Sequence, residues 1–370
     1  MSLVLTGIHL VYASLLCLLA LGLLRMRSRF SRVGGQTTQL PSISVIVPFR
    51  NEAKCLPFIV QDLLAQSYPA DRLELILVDD HSDDGGPALI PSNPGIRLIQ
   101  LNKQQAGKKA ALQAGIEVAR GEWILTTDAD CRLHPDWAKA LVSGGLQADA
   151  VMVCGTVNLD SAHGLLGAVQ VLETHILQTC GSASLALGFP LLNTGASLAF
   201  RRSTFWDVGG YSGNSHLASG DDTFLMLAMQ RMYPGRVIPC GAPAARVRTA
   251  AEPTWSAFLA QRRRRASKVR HYGSPGIALF GLVLTLGQFA TLAALGAFWA
   301  SLIDARTLLL ILALRFLPEF ILLRGLRPVQ LWLAAVPLSL LFPLLNIPAV
   351  WPFGASKASW KGRPLVNKKH

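Results

Sequence analysis

Four clusters of charged residues follow one another along the chain: Val78-Asp79-Asp80, Asp128-Ala129-Asp130, Gly220-Asp221-Asp222 and Gln261-Arg262-Arg263-Arg264. The first two each close a short apolar run, Leu75 to Val78 and Trp123 to Leu125 followed by Thr126-Thr127. Their carboxylates therefore stand where a buried parallel strand ends, the edge at which open α/β sheets bind ligands. Asp128 and Asp130, at i and i+2, point the same way if the strand geometry persists. Two carboxylates, completed by phosphate oxygens and water, suit Mg²⁺ or Mn²⁺. An Asp-rich turn after a strand is the competing reading.

Asp79 and Asp80 lead into His81-Ser82-Asp83-Asp84-Gly85-Gly86, where a carboxylate either accepts the N–H of a pyrimidine ring, holds ribose hydroxyls, or caps the loop. Pro48, Arg50 and Glu52, in the segment Pro48-Phe49-Arg50-Asn51-Glu52, would form the facing wall of that pocket. Gly107-Lys108-Lys109 opens a helical pattern, and Lys108 at a helix N-terminus is placed for a diphosphate, with a solvated lysine pair as the alternative. Asp222 begins another helix, Thr223 to Arg231, where the dipole favours the ionised carboxylate. An ionised Asp there can take the proton of an attacking hydroxyl in a single displacement, while Asp221 caps the helix. Two neighbouring carboxylates do not supply the facing pair that a glycosidase needs. Gln261, Arg264, Arg265 and Lys268 share one helix face. Arg264 suits a bidentate contact to a leaving diphosphate, and Arg262, Arg263 and Arg270 read as a basic patch on anionic lipid.

These residues must be positioned by a membrane protein. The chain has 370 residues, 51% hydrophobic and 15% charged, with a net charge of +13. Residues 1–25 are almost uninterruptedly apolar from Leu3 to Leu24, roughly 33 Å as a helix. Arg25, Arg27, Arg29 and Arg32 follow that run rather than precede it, which predicts an uncleaved anchor with the following domain in the cytosol. Residues 276–353 hold three further hydrophobic segments, about 276–301, 307–323 and 329–351, and residues 354–370 form a basic tail. Three crossings would put that tail outside, against the charge bias, so one segment is expected to be interfacial, packed in a bundle or re-entrant. Arg315 and Glu319 in the middle segment are spaced to pair. The basic residues cluster beside membrane segments without interleaved aromatics, which argues against nucleic acid as a partner. Six cysteines form no C-x-x-C pair, as expected of reduced thiols.

Residues 41–273 are sized for one α/β domain. Ile43 to Val47, Glu74 to Val78, Ile96 to Leu101 and Glu122 to Thr127 read as strands, with Leu56 to Gln66 and Lys108 to Ala119 as helices. This βαβαβ pattern predicts a parallel sheet with right-handed crossovers. Further on, strands are expected at Ala150 to Val157, Ser197 to Arg201 and Arg246 to Thr249, and helices at Leu165 to Gln178, Thr223 to Arg231 and Thr254 to Arg270.

The ordered set Ser44-Val45-Ile46-Val47-Pro48-Phe49-Arg50-Asn51-Glu52, Val78-Asp79-Asp80-His81-Ser82, Gly107-Lys108-Lys109, Asp128-Ala129-Asp130, Gly220-Asp221-Asp222 and Gln261-x-x-Arg264 resembles the membrane-bound family 2 glycosyltransferases. That group includes cellulose, hyaluronan and poly-N-acetylglucosamine synthases and ceramide glucosyltransferase. The resemblance implies a GT-A fold, a Rossmann-like mixed sheet forming a cytosolic domain between N- and C-terminal transmembrane helices. It implies uridine contacts from Asp80 and the Pro48 to Glu52 loop, metal binding through Asp130 with Asp128 nearer the donor, and Asp222 as base. The function implied is inverting, metal-dependent transfer of a sugar from a nucleoside diphosphate, UDP foremost, to a lipid, lipid-linked or polysaccharide acceptor at the cytosolic face of the cell membrane. Trp360-Lys361-Gly362-Arg363 is similar to a basic segment after the last membrane helix of such enzymes. Arg265 stands where the family's Q-x-x-R-W has tryptophan, and Asp221 where T-E-D has glutamate, which points to single addition rather than processive synthesis. The alternatives are an inactive glycosyltransferase-like membrane scaffold and a transporter-associated protein.

Overall fold

The computed structural model describes residues 1–31, 39–160, 163–212, 221–269, 271–324, and short stretches at 340, 342–343, 345, 359–360 and 363–364. The chain divides into two compact units, each discontinuous in sequence. One comprises Met26–Asp160, Leu192–Ala250 and Ser359–His370; the other comprises Met1–Arg25, Ser161–Leu191 and Ala251–Ala358. Segments 161–191 and 251–273 of the span read from sequence as one domain thus belong to the second unit.

The first unit is built on a seven-stranded sheet. Its strands are β1 (Ile43–Phe49), β2 (Leu73–Asp79), β3 (Ile96–Gln100), β4 (Trp123–Thr126), β5 (Met152–Cys154), β7 (Leu198–Arg201) and β8 (Val237–Pro239), in the order β3-β2-β1-β4-β7-β5-β8. Helices α2 (Leu56–Leu64) and α3 (Lys108–Val118) connect the first four strands, which are mutually parallel. β7 runs antiparallel to both of its neighbours, and β8 runs parallel to β5. The sheet is therefore mixed, and the C-terminal ends of β1, β2, β4 and β5 open on one edge. β1 is buried along its whole length, as a central strand covered on both faces must be.

The expected strand over 150–157 is instead two. β5 ends at Cys154, and β6 (Thr156–Asp160) leaves the large sheet to pair in parallel with β9 (Arg246–Ala250). The break falls at Gly155, where an added Cβ would collide with the Ser197 side chain and the Ala245 carbonyl. Only glycine permits that approach. Elements absent from the sequence reading also belong to this unit, among them α4 (Trp137–Gln147), α6 (Arg202–Asp207) and β8. The Gly144-Gly145 pair masks α4 in sequence; Gly145 lies against the Trp123 ring with no room for a side chain. Helix α7 (Asp221–Met232) carries the candidate base.

The second unit holds five helices among its described residues: α1 (Ser2–Ser31, its Ser2–Met26 span apolar), α5 (Gly164–Ala186), α8 (Trp255–Val269), α9 (Pro275–Trp299) and α10 (Ala305–Leu322). α1 and α9 are each long and apolar enough to cross a membrane. Their exposed faces are hydrocarbon, with Leu3, Leu10, Leu21 and Leu24 on α1 and Leu279, Leu282 and Leu286 on α9. The buried face carries the polar groups. His9 is wholly buried, donates Nδ1–H to the Leu5 carbonyl at 2.7 Å and places Nε2 3.0 Å from the Thr291 hydroxyl. The Tyr12 hydroxyl donates to Glu319 at 2.6 Å, and the buried Arg315 bonds both. Apolar outside and polar inside is the arrangement of helices solvated by lipid. The expected Arg315–Glu319 pair is present, with Arg315 buried against Tyr12 of α1. Segment 329–351 lies outside the described residues apart from 340, 342–343 and 345.

Candidate active site

The apolar strands β1, β2 and β4 deliver Phe49, Asp79 and Thr126 to one edge, and the loops that follow carry the candidate residues. Asp79 is 3% exposed, and its carboxylate accepts the Ser82 N–H at 2.9 Å. It therefore closes the loop after β2, the capping role weighed against nucleotide contact. Asp80 is fully buried and its Oδ2 accepts the Gly107 N–H at 3.0 Å. That bond ties the end of β2 to the N-terminus of α3. Arg50 donates Nη1–H to the carbonyls of Asp80 and His81 at 2.8 and 3.1 Å, while its buried Nε has no partner. Asn51 and His81 adopt left-handed φ values of 53° and 57°. The Asn51 N–H donates to Ser82 Oγ at 3.0 Å, and the Asn51 Oδ1 accepts from Asp83 N–H at 3.0 Å. The 48–53 and 79–86 loops are thus interlocked. Pro48 is buried within β1 and Glu52 is half-buried at the start of α2, its carbonyl accepting the N–H groups of Cys55 and Leu56.

Asp128 and Asp130 sit just beyond β4 in a turn closed by the Cys131 N–H on the Asp128 carbonyl at 3.1 Å. Extended geometry does not persist through the motif. The alternation survives nonetheless: Ala129 is buried, Asp128 half-buried and Asp130 exposed. Lys108 Nζ lies 2.5 Å from Asp128 Oδ1. Among the described residues, no group of three or more His, Cys, Asp or Glu side chains could hold a metal ion. A cation here would complete its shell with ligand phosphate and water, the usual habit of Mg²⁺. The exposed Asp130 carboxylate has the oxygen chemistry that a hard divalent cation takes.

The far side of the edge comes from β5, β7 and α7. The Gly195 carbonyl accepts from Thr126 Oγ1 at 3.2 Å, so the loop entering β7 lies against the end of β4. Buried Thr127 Oγ1 has no protein partner there. In the first turn of α7, Asp222 Oδ1 accepts the N–H of the next residue, Thr223, at 2.7 Å. The Cys154 thiol is pushed up by burial first and then by the Asp222 charge, with Asn193 opposing through a hydrogen bond. Asn193 and Cys154 were passed over in the sequence because neither belongs to a spaced motif. Asp221 is the first residue of α7, and its side chain lies outside the described residues.

Residues 44–207 match the glycosyl transferase family 2 profile. The chain carries a family 2 glycosyltransferase domain. The matched stretch contains Asp79, Asp80, Lys108, Asp128 and Asp130; Asp222 follows it. Glycosyltransferase AglE of Haloferax volcanii is 28% identical over 190 residues, spanning 50% of this chain and 60% of that protein. The undecaprenyl-phosphate 4-deoxy-4-formamido-L-arabinose transferase of Aeromonas hydrophila is 34% identical over 120 residues, 30% of this chain and 35% of that protein. The chain thus spans less than two thirds of either relative. Among solved structures, the mannosyltransferase PcManGT of Pyrobaculum calidifontis, determined with GDP-Man and Mn²⁺, superposes with a TM-score of 0.57 at 19% identity, covering 94% of this chain and 99% of that one. This likeness supports the GT-A architecture of the family 2 domain flanked by membrane-type helices.

Gln261 and Arg264 belong to the second unit. Gln261 Nε2 donates to Glu252 Oε1 at 2.8 Å, and Gln170 holds the Glu252 backbone, its Oε1 accepting the N–H at 2.8 Å and its Nε2 donating to the carbonyl at 3.0 Å. Arg262, read from sequence as part of a lipid patch, is instead 8% exposed and paired with Glu173 at 2.7 Å. Burial in a low-dielectric setting demands such a counter-charge. Arg263 is exposed. The side chains of Lys268 and Arg270 lie outside the described residues.

Proposed function

We propose that this protein is an inverting glycosyltransferase that moves a sugar from a nucleoside diphosphate to a lipid or lipid-linked acceptor at the cytosolic membrane face. The observation that carries it is the meeting of Asp80, Lys108, Asp128 and Asp130 at the strand-end edge of a family 2 domain. In this reading the Pro48 to Glu52 and Asp79 to Asp84 loops hold the nucleoside, and Lys108 reaches the diphosphate beside Asp128. Asp130 holds Mg²⁺ or Mn²⁺, which when bound neutralises charge on the leaving diphosphate. Asp222 takes the proton from the acceptor hydroxyl as it attacks the anomeric carbon, a step worth about 10²- to 10⁴-fold in rate.

Two of the similar proteins bear on the partners. The mannosyltransferase was solved with GDP-Man and Mn²⁺, which supports a sugar nucleotide with a divalent cation and sets GDP beside the UDP expected from sequence. The Aeromonas transferase acts on undecaprenyl phosphate, which supports a lipid-linked acceptor. The arginines after Leu24 orient the domain toward the cytosol, where sugar nucleotides are made.

The test is to incubate membranes containing the full chain with radiolabelled UDP- and GDP-sugars and Mn²⁺, then to extract lipid. Label in the organic phase with the native chain and its loss with Asp222→Asn are expected. Equal label with Asp222→Asn would remove Asp222 as base, and no label with any donor would favour the inactive scaffold.

A further inference from the structure

Three consecutive residues at the start of α3 are each tied to a different wall of the site. The Gly107 N–H bonds Asp80 beyond β2, Lys108 pairs with Asp128 beyond β4, and the Lys109 ammonium lies over the Phe224 ring of α7, 5.1 Å from its centroid. The first two links serve the nucleotide side. The third reaches the helix turn that carries Asp222, two residues before Phe224.

Lys109 occupies an unfavourable place for a lysine. It is 7% exposed, and burial disfavours an ammonium ion. It also stands in the first turn of a helix, where the macrodipole opposes positive charge. A solvated lysine would avoid both costs by extending into water. Instead the side chain turns inward onto an aromatic face, an interaction worth roughly 0.5 to 2 kcal/mol that strengthens on desolvation. Phe224 is itself half-buried, between the buried Thr223 and Leu225, so a cation fixed on its face restrains the first turn of α7.

We propose that Lys109 is a positioning residue. Through Phe224 it locks the turn bearing Asp222 to the same helix end that Lys108 anchors at the donor side, so that base and diphosphate wall move as one piece. The proposal rests on the reading of Asp222 as base, and it assigns Lys109 no contact with substrate.

The full chain in detergent tests it by a double-mutant cycle of Lys109→Met and Phe224→Leu, with Lys109→Arg as rescue. Nucleotide release from UDP-glucose, UDP-N-acetylglucosamine and GDP-mannose with Mn²⁺ is the kinetic readout, and hydrogen exchange of the 223–230 amides is the structural one. Each single variant is expected to lower kcat about tenfold or more with KM for the donor within threefold. The double variant should be no worse than the poorer single, and Lys109→Arg should keep at least a third of native kcat. Exchange at 223–230 should rise in both single variants while α3 stays protected; it reads the coupling whichever donor is used. If Lys109→Met does not fold, Phe224→Leu against Phe224→Trp decides, with loss in the first and retention in the second. Multiplying losses in the double variant, a rise in KM instead of a fall in kcat, or unchanged exchange would each overturn the proposal. Asp222→Asn in the same assay separates the two ideas. Retained turnover there discards the base, whereas an additive cycle with an inactive Asp222→Asn discards only the Lys109 link.

Discussion

Lys108 Nζ and Asp128 Oδ1 lie 2.5 Å apart, with side chains 19% and 35% exposed, an ion pair set at the junction of α3 and β4. It divides the labour of the Asp128-Ala129-Asp130 motif. In the proposed reading, one carboxylate fixes the lysine that would meet the diphosphate, and the other, exposed at the turn, would hold the cation.

The two aspartates should therefore fail differently. Asp130→Asn is expected to abolish transfer and with it any response to Mn²⁺, while the protein still folds. Asp128→Asn releases Lys108 and should raise KM for the donor about tenfold or more with a smaller loss of kcat. Initial rates across a Mn²⁺ titration check both, and full activity of the native chain in excess EDTA would refute the metal role.

Gly155 separates β5 from β6, and the Ser197 hydroxyl that crowds it accepts from Trp137 Nε1 at 3.0 Å and donates to the Ala245 carbonyl at 2.8 Å. Gly155→Ala should displace that hydroxyl and cost about 1 to 3 kcal/mol through overpacking. A lowered melting midpoint in detergent is the measurement, and an unchanged one would show that the β5–β6 break tolerates a methyl group.

The first half of the sheet was legible because local signals agreed. Apolar runs ended in charged loops at Asp79 and Asp128, with helical stretches at Leu56 to Gln66 and Lys108 to Ala119. The second half depends on approaches between distant segments. Gly145 against Trp123 and Gly155 against Ser197 read locally as helix and strand breakers, and only tertiary packing turns them into contacts. The site residues with spaced motifs were likewise visible, whereas Asn193 and the Lys109–Phe224 contact arise from chain crossings that no local pattern encodes. Arg262 shows the reverse error: an arginine run reads as surface charge until a counter-charge such as Glu173 is packed against it.

Arg315 is 1% exposed and Glu319 14%, one helix turn apart on α10 with the Tyr12 hydroxyl between helices. Removing one partner leaves an uncompensated buried charge, so Arg315→Met or Glu319→Gln should each destabilise the bundle by about 3 to 5 kcal/mol. Arg315→Met combined with Glu319→Leu should recover much of that loss, because the bare charge is gone. Melting midpoints of the three variants check this, and additive losses would show that the pair contributes more than mutual neutralisation.

Cys154 and Cys240 are buried thiols whose titration is displaced upward. Burial is the main cause at both, joined at Cys154 by the Asp222 charge; Cys240 is pushed from 9.0 to about 11. A raised folded-state value gives stability that is complete below the ordinary thiol range and is lost as pH climbs through the folded value. Melting midpoints should hold to about pH 9 and fall toward pH 11, and Cys154→Ala with Cys240→Ala should flatten that fall. An identical slope in the double variant would assign the alkaline loss to other groups.

The direction of the membrane helices gives the last test. α1 leads into Arg25 and the basic residues that follow, α9 starts at Pro275 and ends at Trp299, and α10 returns from Ala305 to Leu322. A topology with the basic flank of α1 inside and with α9 and α10 as two crossings predicts Ser2 and Ser301 on the outer face and Ser274 on the inner one. Single cysteines at Ser2, Ser274 and Ser301 in a cysteine-free background, treated on intact cells with an impermeant thiol reagent, should label at Ser2 and Ser301 only. Labelling at Ser274 alone would invert the protein and separate its catalytic edge from cytosolic sugar nucleotides. A further cysteine at Asn367 reads the segment 329–351: protection there would keep Trp360 to Arg363 on the catalytic side, and labelling would mean a third crossing that removes the tail from the site.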